Sequence, residues 1–159
     1  MSCKPGMSPG SFIWQVSALN RLPDPKQIES VVRELVGVPY VHAGRDPAAG
    51  LDCLGLIHVF YKRFGISVPD GDGAPYERDW FRRDPVRYLR GILQHGKPVD
   101  PDDLQPLDFV YFFMGGAVTH AGVMVDSERF IHVLEGRAVS VSRLSSMWRR
   151  RLVGARRFV

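Results

Sequence analysis

The chain has 159 residues, 45% apolar and 24% charged, the profile of one globular domain with an ordinary core rather than a collagenous or low-complexity chain. Twenty-one Lys and Arg against seventeen Asp and Glu leave a formal net charge of +4, and no interleaved aromatic platform accompanies it, so no nucleic-acid partner is expected. No run of 18 apolar residues predicts a membrane span, and the two cysteines, Cys3 and Cys53, form neither a disulfide framework nor a C-x-x-C zinc pair.

In chain order, residues 1–11 read as an arm that is flexible or orders on contact. The first thirty residues lack an apolar core of signal-peptide length, so synthesis in the cytosol is expected, with export by a dedicated route or packaging in a particle left open. Phe12 to Leu19 is apolar and fits strand or helix. Asp24 to Gly37 predicts a helix: Asp24 caps, Pro25 suits the first position, Gln27 completes a capping box, and Gly37 ends it. Ile28, Val31, Val32 and Leu35 make its buried stripe. The loop V-P-Y-V-H-A-G-R-D-P-A-A-G then leads to G-L-D-C-L-G-L.

A second helix is expected from Asp52, its N-cap, to Gly65, its stop, with Leu54, Ile57, Phe60, Tyr61 and Phe64 inward. Residues 66–84 predict a long loop with one turn of helix. Asp84-Pro85 starts a short helix through Gln94, with Val86, Leu89, Ile92 and Leu93 inward. Lys97 to Gln105 reads as a linker. From Leu107 the period changes to that of strands: Phe109–Phe113 as a central strand, Ala121–Val125 and Phe130–Leu134 as a hairpin around Asp126-Ser127-Glu128-Arg129, Ala138–Ser142, and a closing strand over Leu152–Val159. Helices first and strands after predict an α+β fold, with helices on one face of an antiparallel sheet. The Arg-rich end (Arg143, Arg149, Arg150, Arg151, Arg156, Arg157) is either a contact for an anionic partner or a charged edge strand, and the edge strand is the simpler reading.

Chemistry concentrates at Cys53. It falls in the first turn of its helix, where unpaired N–H groups and the dipole favour an anion and can lower a thiol pKa. A buried structural cysteine fits the same stretch. A thiol nucleophile needs a base and a group that orients the base. If the hairpin pairs symmetrically about Ser127, His132 faces Gly122, and His120 and His132 become diagonal neighbours on one face, with Gly122 leaving room between them. A slip of one residue breaks this arrangement. One surface and one core histidine remain the alternative. His42, His58 and His95 read as solvated, packed elsewhere and helix-terminal, and Trp14, Trp80 and Trp148 as core, with Trp80 also able to rim a cleft.

Three ordered segments resemble the NlpC-type cell-wall peptidases, a papain-like cysteine peptidase family: Gly37–Ile57 is similar to G-x-P-Y-x-x-G-G followed by D-C-S-G-L, Leu104–Phe113 to P-G-D-L-V-F-F, and Thr119–Val133 to H-V-G-I-Y-x-G-x-G-x-F-I-H-A. Val153–Arg157 also resembles family members. The resemblance implies a papain-like fold with about five to six strands over the whole chain. It implies Cys53 as nucleophile, His120 as base and His132 as orienting residue, with the Cys53 N–H in an oxyanion hole. Tyr40, Asp52, Leu54 and Gly122 fall on the substrate side: Tyr40 near the thiol and Asp52 on a free amine of the substrate. The implied reaction is hydrolysis of an amide in peptidoglycan stem peptides, often between D-glutamate and a diamino acid, with no metal or organic cofactor. Leu54 stands where the family has Ser, Ala43 where it has Gly, and Leu107 where it has a turn Gly. The D-C-L-G-L variant and the Tyr76–Gly96 insertion resemble the phage-tail branch, which implies tail-tip proteins as partners and action at the cell wall. A catalytically lapsed assembly or wall-binding module, and a thiol acyltransferase, are the alternatives.

Overall fold

The computed structural model describes residues 22–158. The arm at 1–11, Cys3, and the run Phe12–Leu19 with Trp14 lie outside them. Helix α1 (Pro25–Leu35) starts on the predicted capping box: the Asp24 carboxylate accepts from the Lys26 N–H at 2.8 Å, and the Gln27 side chain accepts from the Asp24 N–H at 3.1 Å. Ile28, Val32 and Leu35 are its buried face, and Gly37 turns the chain at φ +95°.

The loop after α1 holds a two-residue hairpin, β1 (Arg45–Asp46) with β2 (Gly50–Leu51), which the sequence did not announce. Helix α2 (Cys53–Lys62) follows at once, with Asp52 as N-cap accepting from the Gly55 N–H at 2.8 Å. Its burial is broader than one stripe: Leu56, Ile57, Val59, Phe60 and Tyr61 are all buried, because the hairpin covers one side and the main sheet another. Leu54 and Phe64, expected inward, are only partly covered. The long loop carries its single turn at α3 (Trp80–Arg83). Helix α4 (Arg87–Leu93) starts later than expected, so Tyr88 and Ile92, four residues apart, turn inward while Val86 and Leu93 are half exposed.

Six strands form one antiparallel sheet in the order β3 (Lys97–Val99), β8 (Leu152–Arg157), β4 (Phe109–Met114), β5 (Ala117–Met124), β6 (Arg129–His132), β7 (Ser140–Arg143). Two expectations are corrected. Lys97–Val99 is a strand, held by pairing with β8, not a linker. And β8 is an interior strand between β3 and β4, not an edge. Its arginines are engaged: Arg157 grips the fully buried Asp108 with two bonds of 2.8 Å, and Arg156 donates to the His95 and Gly96 carbonyls. Helix α5 (Ser146–Arg151), also unannounced, buries Trp148 among Val110, Phe112, Phe130 and Ala155, on the opposite side from the core of α1, α2 and Phe109, Tyr111, Val123. Helices therefore cover both faces rather than one.

The β5–β6 hairpin pairs Val123 with Ile131 and Met124 with Phe130, which is the register symmetric about Ser127. Between β4 and β5 the pairing shifts: Phe112 meets His120 and Phe113 meets Val118, leaving Thr119 as the extra residue of a β-bulge. No helix among the described residues is long and apolar enough to cross a membrane.

Candidate active site

Backbone contact brings the pieces of the site together. A side-chain carbon at Gly55 would collide with the Gly44 carbonyl oxygen, and one at Gly44 with the Gly50 carbonyl, so the hairpin and the start of α2 stack main chain on main chain. Ala43 and Leu107 are the two described non-glycine residues with positive φ, at 57° and 71°. Both stand where the resembling family has glycine. The turns keep the glycine-type conformation with side chains in place, at a cost of about 1 kcal/mol each. The Tyr61 hydroxyl, donating to the Leu107 carbonyl at 2.8 Å, ties α2 to the strand entry.

Cys53 stands at the first position of α2, and its sulfur meets β5 at the bulge. The thiol donates to the Thr119 carbonyl at 4.0 Å, and the Ala121 N–H is directed at the sulfur, so Cys53 touches the main chain on either side of His120. Cys53 and His120 line one cavity of about 300 Å³. His120 Nε2 lies 2.9 Å from His132 Nδ1, and His132 Nε2 lies 2.7 Å from the Ser142 hydroxyl. With the His132 proton on Nε2, donated to Ser142, His132 Nδ1 accepts from His120 Nε2–H. That leaves His120 Nδ1 as the bare, basic nitrogen. Trp148 closes over both rings, at centroid distances of 5.5 Å to His120 and 5.0 Å to His132. Ser142 and Trp148 were not legible as site residues. Only the two-residue spacing along β7 placed Ser142 on the histidine face.

Burial governs the electrostatics here. It pushes His120 down to about 3, with the neighbouring His132 adding to the effect, and pushes His132 down to about 4. The Cys53 thiol is pushed up to about 12 by burial and then by the Asp52 charge, against the pull of the Leu54 N–H, Arg45 and the Ala121 N–H. At the sulfur, burial and the helix terminus act in opposite directions on the same thiol.

Asp52, expected on a substrate amine, caps the same helix. It is 3% exposed, and its carboxylate accepts from the Gly55 N–H at 2.8 Å, the Arg45 guanidinium at 2.8 Å, the Ala43 N–H at 2.9 Å and the Tyr76 hydroxyl. Each carboxylate oxygen thus accepts two bonds. Arg45 extends the cluster to Asp70 at 2.9 Å and to the Tyr76 hydroxyl. Gly122 is buried in the sheet; an added carbon would come within 2.7 Å of the Ile131 carbonyl and 3.3 Å of the His132 side chain. Its bareness admits β6 and the second imidazole.

Tyr40 and Leu54 do line the cavity. The Tyr40 hydroxyl, pushed up to about 12 chiefly by burial, stays protonated, and it makes no hydrogen bond to the thiol among the described residues. His42 lines the cavity as well, with Nε2 3.0 Å from the Tyr76 carbonyl, and Trp80 rims it. His58 lies off the cavity. Among the described residues no group of three or more His, Cys, Asp or Glu is placed to hold a metal ion.

The profile of the NlpC/P60 family matches residues 37–157, a span that contains every residue of the site just described. A Gamma-DL-glutamyl hydrolase of Bacillus subtilis is 34% identical over 128 residues, 77% of this chain and 27% of that protein. A Gamma-D-glutamyl-L-lysine dipeptidyl-peptidase of Bacillus cereus is 30% identical over 100 residues, 61% of this chain and 25% of that protein. The crystal structure of a NlpC/P60 family protein from Bacillus cereus superposes with a TM-score of 0.63 at 26% identity, covering 86% of this chain and 40% of that one. The chain thus spans about a quarter of the curated relatives it matches. With the ordered motifs, the sheet and the profile in agreement, the chain belongs to the NlpC/P60 family.

Proposed function

We propose that this chain is a cysteine peptidase that hydrolyses amide bonds in peptidoglycan stem peptides, at the bond between D-glutamate and a diamino acid. One observation carries the reading: Cys53, at a helix start, abuts the main chain flanking His120, whose imidazole is held by His132 and Ser142. The relatives, named for γ-glutamyl bonds, support the bond class. In the reaction His120 Nδ1 takes the thiol proton as sulfur attacks the carbonyl carbon, and the Cys53 N–H at the α2 terminus faces the developing oxyanion. His132 stabilises the imidazolium that forms, and His120 then returns the proton to the leaving amine. Water hydrolyses the acyl-enzyme by the same route in reverse. Transfer of the proton gives a thiolate–imidazolium pair, the reactive form of the nucleophile.

The test is mass spectrometry of purified muropeptides after incubation with the protein and with Cys53→Ala. Cys53-dependent release of fragments cut after D-glutamate is the expected result; equal release by both proteins rejects it. An acyltransferase would instead give acylated amines in the same spectra. A phage-tail setting, with tail-tip proteins as partners, is part of the proposal and rests on the D-C-L-G-L variant; co-sedimentation of the protein with tail particles checks it. The complete thiol–imidazole–imidazole–hydroxyl series weighs against a lapsed binding module.

A further inference from the structure

Residues 70–79, the middle of the loop between α2 and α3, are built as a strap. All of them are exposed except Tyr76, and their main-chain hydrogen bonds stay within the strap or run to α3. Gly71 and Gly73 take positive φ near its start, at 59° and 78°. The strap gives Gly71, Asp72, Tyr76 and Arg78 to the lining of the Cys53 cavity. A second hollow, of about 530 Å³, lies against the same strap at Ala74, Pro75 and Glu77. Asp72 and Tyr76 line both, so the strap runs between two spaces and rests on no packed layer. Side chains hold it instead. Asp70 pairs with Arg45 at 2.9 Å, Asp72 with Arg87 at 2.7 Å and Glu135 with Arg78 at 2.7 Å, and Arg87 also reaches the Ala74 and Pro75 carbonyls at 3.3 Å. These three carboxylates are 45–61% exposed, and solvated pairs of this kind hold weakly. Tyr76 is the firm tie. Its hydroxyl donates to Asp52, the buried residue before Cys53, and accepts from Arg45 at 2.9 Å; its carbonyl accepts from His42 Nε2–H at 3.0 Å. A hydrogen bond to a buried carboxylate is stronger than a neutral or solvated one.

We propose that residues 70–79 are a gate on the catalytic cavity, latched by the Tyr76 hydroxyl on Asp52. Released, the strap moves into the second hollow, and the cavity of about 300 Å³ joins that hollow as one longer cleft. A volume near 300 Å³ stands at the low end of the range for small-ligand sites, and a stem peptide attached to a wall polymer is larger than such a ligand. The gate therefore sets what reaches Cys53: a small molecule enters with the strap latched, a branched peptide with it released. Weakly anchored, solvent-exposed segments are the ones from which lids are made. Asp52 serves both parts, capping the helix that carries Cys53 and holding the latch. The peptide substrate rests on the hydrolase reading above; the gate does not.

Labelling of Cys53 tests this without turnover. In a Cys3→Ser background Cys53 is the only thiol, and its rates with iodoacetamide and with the bulky fluorescein-5-maleimide are compared. The ratio of the bulky to the small rate reads access and divides out changes in thiol reactivity. Tyr76→Phe keeps the ring and removes the latch, and is expected to raise that ratio about tenfold. Asp72→Asn with Arg78→Gln loosens two weak ties away from Asp52, and is expected to raise it about fivefold. An unchanged ratio in Tyr76→Phe, with a urea midpoint that shows the variant folded, overturns the gate. If Tyr76→Phe does not fold, the double variant decides, and an unchanged ratio there overturns it. Muropeptide cleavage with unchanged ratios keeps the hydrolase and rejects the gate; raised ratios without Cys53-dependent cleavage keep the gate and reject the hydrolase.

Discussion

Two polar groupings lie near the Cys53 sulfur, and they are built on opposite plans. On one side, His120, His132 and Ser142 form a relay with no formal charge, enclosed by Trp148 and Phe112. On the other, Asp52, Arg45 and Asp70 are an array of charges saturated with partners. The relay is neutral because burial strips its rings of protons, which leaves it free to accept one. The ionic array fixes the start of α2, where Asp52 caps the helix and ties it to the Ala43 N–H. The lesson is that charge near a nucleophile need not be catalytic charge. Here the uncharged side carries the proton and the charged side carries the architecture.

The largest effect should come from breaking the relay at its head. His120→Ala is expected to lower kcat by about a thousandfold or more, with KM little changed, since the loss falls on the proton transfer. Steady-state kinetics on a muropeptide would show it; a loss under tenfold would mean another base serves Cys53. Breaking the ionic side should read out differently. Asp52→Asn keeps a capping group but removes the charge that Arg45 meets at 2.8 Å, leaving Arg45 its bond to Asp70, so a drop of about 1–2 kcal/mol in unfolding free energy is expected from urea titration. A variant as stable as the wild type would show that the array is solvated and not structural.

pH separates the two sides next. Both imidazoles are held below their unfolded value of 6.5, His132 near 4 and His120 near 3, so the unfolded chain binds protons that the native one refuses. Stability is full above pH 6.5 and falls as pH drops from there toward 4 and then 3. By pH 5 the loss should be about 2 kcal/mol per ring. Urea midpoints at pH 7.5 and 5.0 measure it, and coincident midpoints would mean hydrated rings. The smallest effect belongs to the tail of the relay. Ser142→Ala removes one neutral hydrogen bond, and about a fivefold fall in kcat is expected. Ser142→Thr should restore most of it, which a merely structural loss would not predict.

Much of this was legible from residue order. The Asp24–Gln27 box set α1, and symmetry about Ser127 was enough to put His120 beside His132. Asp52 as cap and Cys53 as first helical residue followed from local rules as well. What escaped was whatever depended on a distant partner. Lys97–Val99 includes a proline and has no alternation of its own; it is a strand because β8 lies alongside. Met147 and Trp148 sit among arginines that hide a helix whose purpose is to roof two imidazoles. The same distance effect hid the ion pair at Asp52: nothing in D-C-L-G-L announces that Arg45, seven residues back, folds over its carboxylate. At the thiol, the helix terminus is visible in sequence and the depth of burial is not.

The bulge at Thr119 has a practical consequence. The atoms that receive the thiol hydrogen and steady the sulfur there are main-chain atoms, so a scan replacing side chains one at a time would pass over them. Removing Thr119 itself would be a different matter. It would restore regular pairing with β4 and take away the carbonyl that receives the thiol hydrogen, while every chemically reactive side chain was still present.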